Sequence, residues 1–248
     1  MISIKTPADI EKMREAGRIS AYALQVAREV IHPGMTTAAL NKEIHRAIVS
    51  QGAVPNFLNL YGFPASACIS VNDEVIHGIP GPRKLQNGDI VSVDVGAVKN
   101  GFHGDNAYTF VVGETDPETM RLLQVTQEAL ALGIAAAQPG ARVGDIGYAI
   151  QSYVEAEGFS VVREYVGHGI GSALHEDPQV PNFGSKGRGP RLIPGMTIAI
   201  EPMINAGEAA IYQLQDGWTV KTKDGKMSAH FENTVLITKD GPVILTKV

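Results

Sequence analysis

Apolar residues recur at every fourth position in two widely separated stretches of this chain. After Pro33-Gly34 they are Leu40, Ile44 and Ile48, closed by Gly52; after Pro139-Gly140 they are Ile146, Ile150 and Val154, closed by Gly158. This spacing puts one apolar stripe on a helix, and glycine after the stripe is a common stop. The pattern predicts helices over 7–31, with Thr6 as N-cap and Pro7 in the first turn, and over 37–51, 117–137 and 144–157. Strand patterning is found near 67–71, 90–95 and 108–112, with Lys99-Asn100-Gly101 as a hairpin turn. From Thr197 onward the chain reads mostly as strand, turned at Asp216-Gly217, Asp224-Gly225 and Asp240-Gly241.

The two helical stripes stand 106 positions apart, and a second match follows them. Leu85, Gly88, Ile90 and Asp94 correspond to Leu192, Gly195, Thr197 and Glu201, each offset by 107. A period this long does not make a solenoid. It predicts two related halves packed about a pseudo-two-fold axis, which would carry Asp94 and Glu201 toward one cleft. Helices between blocks of hairpins indicate an α+β fold with a mostly antiparallel sheet. Residues 1–248 are expected to form one domain with internal pseudo-symmetry.

Composition narrows the function classes. Lys and Arg number 21 against 26 Asp and Glu, so the net charge of −5 offers no general attraction to nucleic acid. The lone cysteine, Cys68, has no internal disulfide partner. No apolar run approaches the ~20 residues of a membrane span, and no signal-peptide pattern is present. A cytoplasmic address without membrane attachment is the expectation.

The candidate chemistry lies in acids set in or beside apolar runs. Asp94 follows Ile90-Val91-Ser92-Val93, Glu201 follows Thr197-Ile198-Ala199-Ile200, and Glu232 precedes Thr234-Val235-Leu236-Ile237. An isolated buried carboxylate usually becomes neutral, whereas several that converge can stay charged around a metal. Asp105 is brought back toward Asp94 by the predicted hairpin. His168 lies in Gly167-His168-Gly169-Ile170-Gly171, where glycines leave the imidazole accessible and would break a zincin-type helix. Four carboxylates carry four negative charges, which two divalent cations would balance. Read alone, each acid is compatible with an ordinary ion pair, and a lone histidine is more often a structural hydrogen-bonder. Cys68, between Ala67 and Ile69, reads as a small apolar residue, and no Gly-x-Ser-x-Gly elbow supports serine catalysis.

Taken together, the stretches 72–80, 91–105, 161–180, 194–207 and 216–238 resemble the type I methionine aminopeptidases, over nearly the whole chain and in the same order. The resemblance implies the pita-bread (creatinase/aminopeptidase) fold. It implies a metal pair in which Asp94 serves one ion, His168 and Glu201 serve the other, and Asp105 and Glu232 bridge. Such an oxygen-rich set suits Co²⁺, Mn²⁺, Fe²⁺ or Zn²⁺. Glu201 would move the proton, His175 would stabilise the oxyanion and His77 would contact the scissile amide. Phe57, Phe63, Cys68, His77 and Trp218 would line the pocket for the methionine side chain. Leu60 and Leu174 depart from the family, in which aromatic residues are common at both positions. The implied partner is the N-terminus of a nascent polypeptide, met transiently at the ribosome by a monomer. Prolidase-like enzymes share the fold but usually carry a further N-terminal domain.

Overall fold

The computed structural model describes residues 2–247. The elements run in the order α1 (Pro7–Val30), α2 (Thr37–Ser50), β1 (Val54–Pro55), β2 (Ala67–Val71), β3 (Glu74–Ile76), β4 (Ile90–Lys99) and β5 (Phe102–Val111). They continue with α3 (Pro117–Ala136), α4 (Val143–Ala156), β6 (Ser160–Val161), β7 (Gly167–Gly169), β8 (Glu176–Val180), β9 (Thr197–Ile200) and β10 (Met203–Asn205). The last are β11 (Ile211–Gln213), β12 (Val220–Thr222), β13 (Ser228–His230), β14 (Glu232–Thr238) and β15 (Gly241–Ile244). Every helix expected from the apolar spacing forms. The Thr6 side chain caps α1 in a reciprocal capping box with Asp9, and Asp116 caps α3 through the N–H groups of Glu118 and Thr119.

The principal sheet has the strand order β1-β4-β5-β14-β9-β7-β8, with β2 also on β4 and β15 also on β14. All strand pairings among the described residues are antiparallel. Apolar side chains of α1 and α2 meet β2, β4 and β5 in one core cluster, and those of α3 and α4 meet β9 and β14 in another. In the first, Leu40, Ile44 and Ile48 are fully buried; in the second, Ile146, Ile150 and Val154 are.

The correspondence between these halves extends to backbone hydrogen bonds. Gly34 N–H donates to the Leu85 carbonyl at 2.7 Å, and Gly140 N–H donates to the Leu192 carbonyl at 2.8 Å. Leu85 N–H reaches Met35 as Leu192 N–H reaches Ala141, both at 2.8 Å. Gly34 and Gly140 share a left-handed φ, +90° and +91°, which only glycine adopts without strain.

The β4–β5 hairpin is longer than the sequence pattern suggests. Strand β4 continues past Asp94 to Lys99, and β5 begins at Phe102, so both acids lie inside strands. Gly96, Ala97 and Gly104 weaken the apolar alternation there, yet pairing continues to Lys99↔Phe102. Asn100 and Gly101 close it as a two-residue turn with φ of 53° and 77°, the left-handed pair that matches strand twist. On the outer side, Gly104 rests against α1: a Cβ there would collide with the backbone of Ala16 and Gly17. The helix therefore sits directly on the back of the strand that carries Asp105.

Candidate metal centre

The ladder explains how five side chains so far apart in sequence meet. Asp94 stands opposite Ala107, and Ala107 stands opposite Glu232, so one row crosses β4, β5 and β14. Asp105 is two residues from Ala107 along β5 and shares its face. Glu201 follows the last residue of β9, whose Ile200 pairs Asn233, and His168 sits on β7, the next strand. Five adjacent strands thus each bring one polar group to a common face. Asp105 and Glu232 are 4% and 3% exposed. The His168 Nε2 lies 3.5 Å from Glu201 Oε1 and 3.9 Å from Asp105 Oδ2.

Burial forces a choice on these acids. It pushes Asp94 up to about 7, eased by His230 and reinforced by the charge of Glu201. It pushes Glu201 to about 7 as well, against the pull of His168. Asp105 and Glu232 are driven well above the usual carboxylate range, by burial first and then by their acidic neighbours. Without a counter-charge the cluster must hold protons; a cation removes that requirement. The donor atoms fit such a cation. Asp94 Oδ1, Asp105 Oδ1 and Glu232 Oε1 are buried without any hydrogen-bond partner in the protein. His168 donates Nδ1–H to the Gly169 carbonyl at 2.8 Å, which leaves the Nε2 lone pair facing the acids, as metal-binding histidines do. Ligand atoms of Asp105, His168 and Glu232 come within 4.8 Å of one another, as do those of Glu201, His230 and Glu232.

Above this floor is a cavity of about 690 Å³. All the pocket residues expected from the sequence line it: Phe57, Phe63, Cys68, His77 and Trp218, with Leu60 and Leu174 among them. Phe63 and Trp218 meet edge to face with centroids 5.1 Å apart. His77 has φ of 59°, a strained conformation for a residue with a side chain. Its ring meets Tyr165 edge-on at 5.5 Å, and burial drops its pKa to about 4, so the imidazole is neutral near pH 7. His175 lies 4.5 Å from His168 between ring centroids, at the exposed rim.

Three parts of this site are absent from the reading of the sequence. Tyr165 and Tyr61 also line the cavity. Tyr61, 78% exposed, stacks over His175 at 6.4 Å. The third is a buried ion pair in which Lys5 Nζ reaches Glu176 Oε2 at 2.5 Å, with the lysine side chain 3% exposed. Glu176 also accepts from Ala173 N–H, and so holds the turn that presents His175.

Such a cluster under an apolar cavity, on this sheet, defines a metallopeptidase: the chain belongs to metallopeptidase family M24, which matches residues 11–239. Within that family its likeness is to the methionine aminopeptidases. Methionine aminopeptidase 1 of Bacillus subtilis (strain 168) is 53% identical over 248 residues, the full length of both chains. Methionine aminopeptidase of Escherichia coli (strain K12) is 50% identical over 99% of this chain and 94% of its own. The crystal structure of methionine aminopeptidase from Rickettsia prowazekii superposes with a TM-score of 0.98 at 46% identity, covering both chains completely. Prolidase from Pyrococcus furiosus, at 24% identity and a TM-score of 0.80, shares the fold over 99% of this chain and 65% of its own. No helix among the described residues is long and apolar enough to cross a membrane.

Proposed function

We propose that this chain removes N-terminal methionine from peptides and nascent proteins by metal-assisted hydrolysis, preferring a small second residue. One observation carries the reading: four carboxylates and one imidazole, with buried oxygens lacking any protein partner, form the floor of an apolar cavity. Asp94, Asp105, His168, Glu201 and Glu232 would hold two divalent ions, from among Co²⁺, Mn²⁺, Fe²⁺ and Zn²⁺. When bound, such ions polarise a carbonyl and lower the pKa of water.

The remaining work falls to the chain itself. Phe57, Phe63, Cys68 and Trp218, with Leu60 and Leu174, enclose the unbranched methionine side chain, which tolerates an irregular apolar slot. Glu201 takes a proton from the attacking water and returns it to the leaving amine. His77, neutral and held edge-on by Tyr165 and Trp218, contacts the scissile amide through a ring nitrogen. His175 donates to the developing oxyanion from the rim, where partial loss of solvent around the ring, then the nearby His103, lowers its pKa and favours the neutral ring. The N-terminus of a nascent chain, met transiently at the ribosome by a monomeric enzyme, is the partner consistent with this chemistry.

Turnover of Met-Ala-Ser and Ala-Pro-Ala peptides in the presence of several divalent ions tests the reading. Rapid methionine release is expected. Release of alanine before proline would instead select a prolidase-like activity, and no release with any ion would leave a binding role.

A further inference from the structure

Beneath the carboxylates, beside Glu201, lies one more imidazole. His230 ends β13, is 1% exposed, and has a buried Nε2 with no hydrogen-bond partner. That nitrogen lies 3.6 Å from Glu201 Oε2, while His168 Nε2 lies 3.5 Å from the other oxygen, Oε1. The Glu201 carboxylate therefore stands between two imidazoles, one at each oxygen. Both separations exceed the 2.7–3.2 Å of an N–H···O bond. They approach the spacing of neighbouring ligand atoms on one ion, roughly 3–3.5 Å for bonds of about 2.0–2.2 Å.

The position is fixed from behind. His230 N–H donates to Thr109 Oγ1 at 3.0 Å, Thr109 Oγ1–H donates to the His230 carbonyl at 2.8 Å, and Ser92 Oγ lies 2.9 Å from Thr109 Oγ1. Ser92 and Thr109 are opposite one another in the β4–β5 ladder, one step along the same face from Asp94 and Ala107. His230 is thus pinned beside the acids by the hairpin that carries two of them. The two groups of mutually close donors each contain one imidazole and two carboxylates, and they share Glu232.

We propose that His230 is a sixth protein donor to the metal pair, giving its nitrogen to the ion that Glu201 and Glu232 hold. The proposal rests on the metal-dependent reading above and changes the donor set from one nitrogen to two. A second imidazole raises affinity for Co²⁺ and Zn²⁺ more than for Mn²⁺.

The test uses metal-free protein titrated with Co²⁺ alone and with Mn²⁺ alone, together with X-ray absorption of the Co²⁺-loaded form, for wild type, His230→Gln and His168→Gln. Wild type should bind two Co²⁺ with imidazole scattering from two rings per pair. His230→Gln should lose at least about tenfold in Co²⁺ affinity at one site, less for Mn²⁺, and one ring of scattering. His168→Gln should keep one ring, which holds the proposal open to refutation if His230→Gln does not fold. An unchanged isotherm and spectrum in His230→Gln, or no imidazole left in His168→Gln, overturns it while leaving the metal reading intact. Failure of wild type to bind Co²⁺ or Mn²⁺ overturns both.

Discussion

The two walls of the cavity are held by different forces. On one side Asp94 and Asp105 project from within a long backbone ladder, and Glu232 from the first residue of the strand paired to it. The β4–β5 pair runs unbroken from Ile90↔Val111 to Lys99↔Phe102, and α1 lies directly behind it at Gly104. On the other side His175 sits on an exposed turn between short strands whose register shifts between His168 and Gly169. Few main-chain bonds hold that turn, and the Lys5–Glu176 pair ties it to a segment 171 residues away in sequence. The group that must keep its spacing for a cation rests on main-chain bonds. The turn that carries His175 depends on one ion pair together with the Gly171 and Ala173 N–H bonds.

The largest expected effect breaks the ladder side. Asp105→Ala or Glu232→Ala should reduce peptidase turnover to background, because each removes a carboxylate shared by the proposed ions. Their metal-free forms should melt no lower than wild type, since each deletion relieves a buried, unpartnered acid, while the rise in Tm on adding Mn²⁺ should shrink. Near-normal turnover in either variant would refute the two-ion reading. On the opposite wall, Lys5→Met leaves the half-buried Glu176 without its cation and should cost about 2 kcal/mol of stability. It should also lower kcat by up to about 10²-fold through misplacement of His175, with metal content unchanged. The double variant Lys5→Met/Glu176→Met should recover most of the stability in denaturant melts, and if it does not, the ion pair is not what holds the turn.

His77→Ala should keep its metal and lose about 10²-fold in turnover, a figure typical of removing one transition-state contact. Metal loss in that variant would move His77 into the ligand set. The smallest effect is on pH dependence. Asp94 and Glu201 have folded pKa values near 7, above their ordinary 3.8 and 4.5. In that window the folded state binds more protons than the unfolded chain, so metal-free protein should lose stability as pH rises from about 4 to 7. Glu176 has the opposite sign: burial opposes ionisation, but the Lys5 contact and the Ala173 N–H outweigh it and lower its pKa below 4.5. Its contribution is present above pH 4.5 and disappears as pH falls through the lowered folded value. Melting temperatures across pH 3–8, with and without Mn²⁺, separate the two, because added metal should abolish only the loss toward neutral pH.

The sequence carried the ladder side well. Asn100-Gly101 fixes the hairpin register, and that register alone puts Asp94 and Asp105 on one face. The repeat ties Glu201 to Asp94 through their shared offset of 107. The strand extents were harder to read, because Gly96, Ala97 and Gly104 interrupt the alternation that marks a strand. His230 lies two residues before Glu232 and carries a weaker sign. In a continuous strand, His230-Phe231-Glu232 would put both polar residues on one face, and that period-two signal was available. Phe231 instead separates β13 from β14, which belong to different sheets, so their meeting depends on how the sheets join. Lys5 offered no local sign at all: a pair separated by most of the chain exists only through packing.

Ala107 stands between Asp94 and Glu232 in their shared row, on the same face as both. Its methyl group is buried, and a longer side chain there would have to share the row with a carboxylate on either side. Leucine at that point would press on Asp94 and Glu232 and is expected to weaken metal binding without changing the identity of any ligand. The most ordinary residue of the row therefore limits how closely two acids are crowded, and enlarging it tests that role with the surface unchanged.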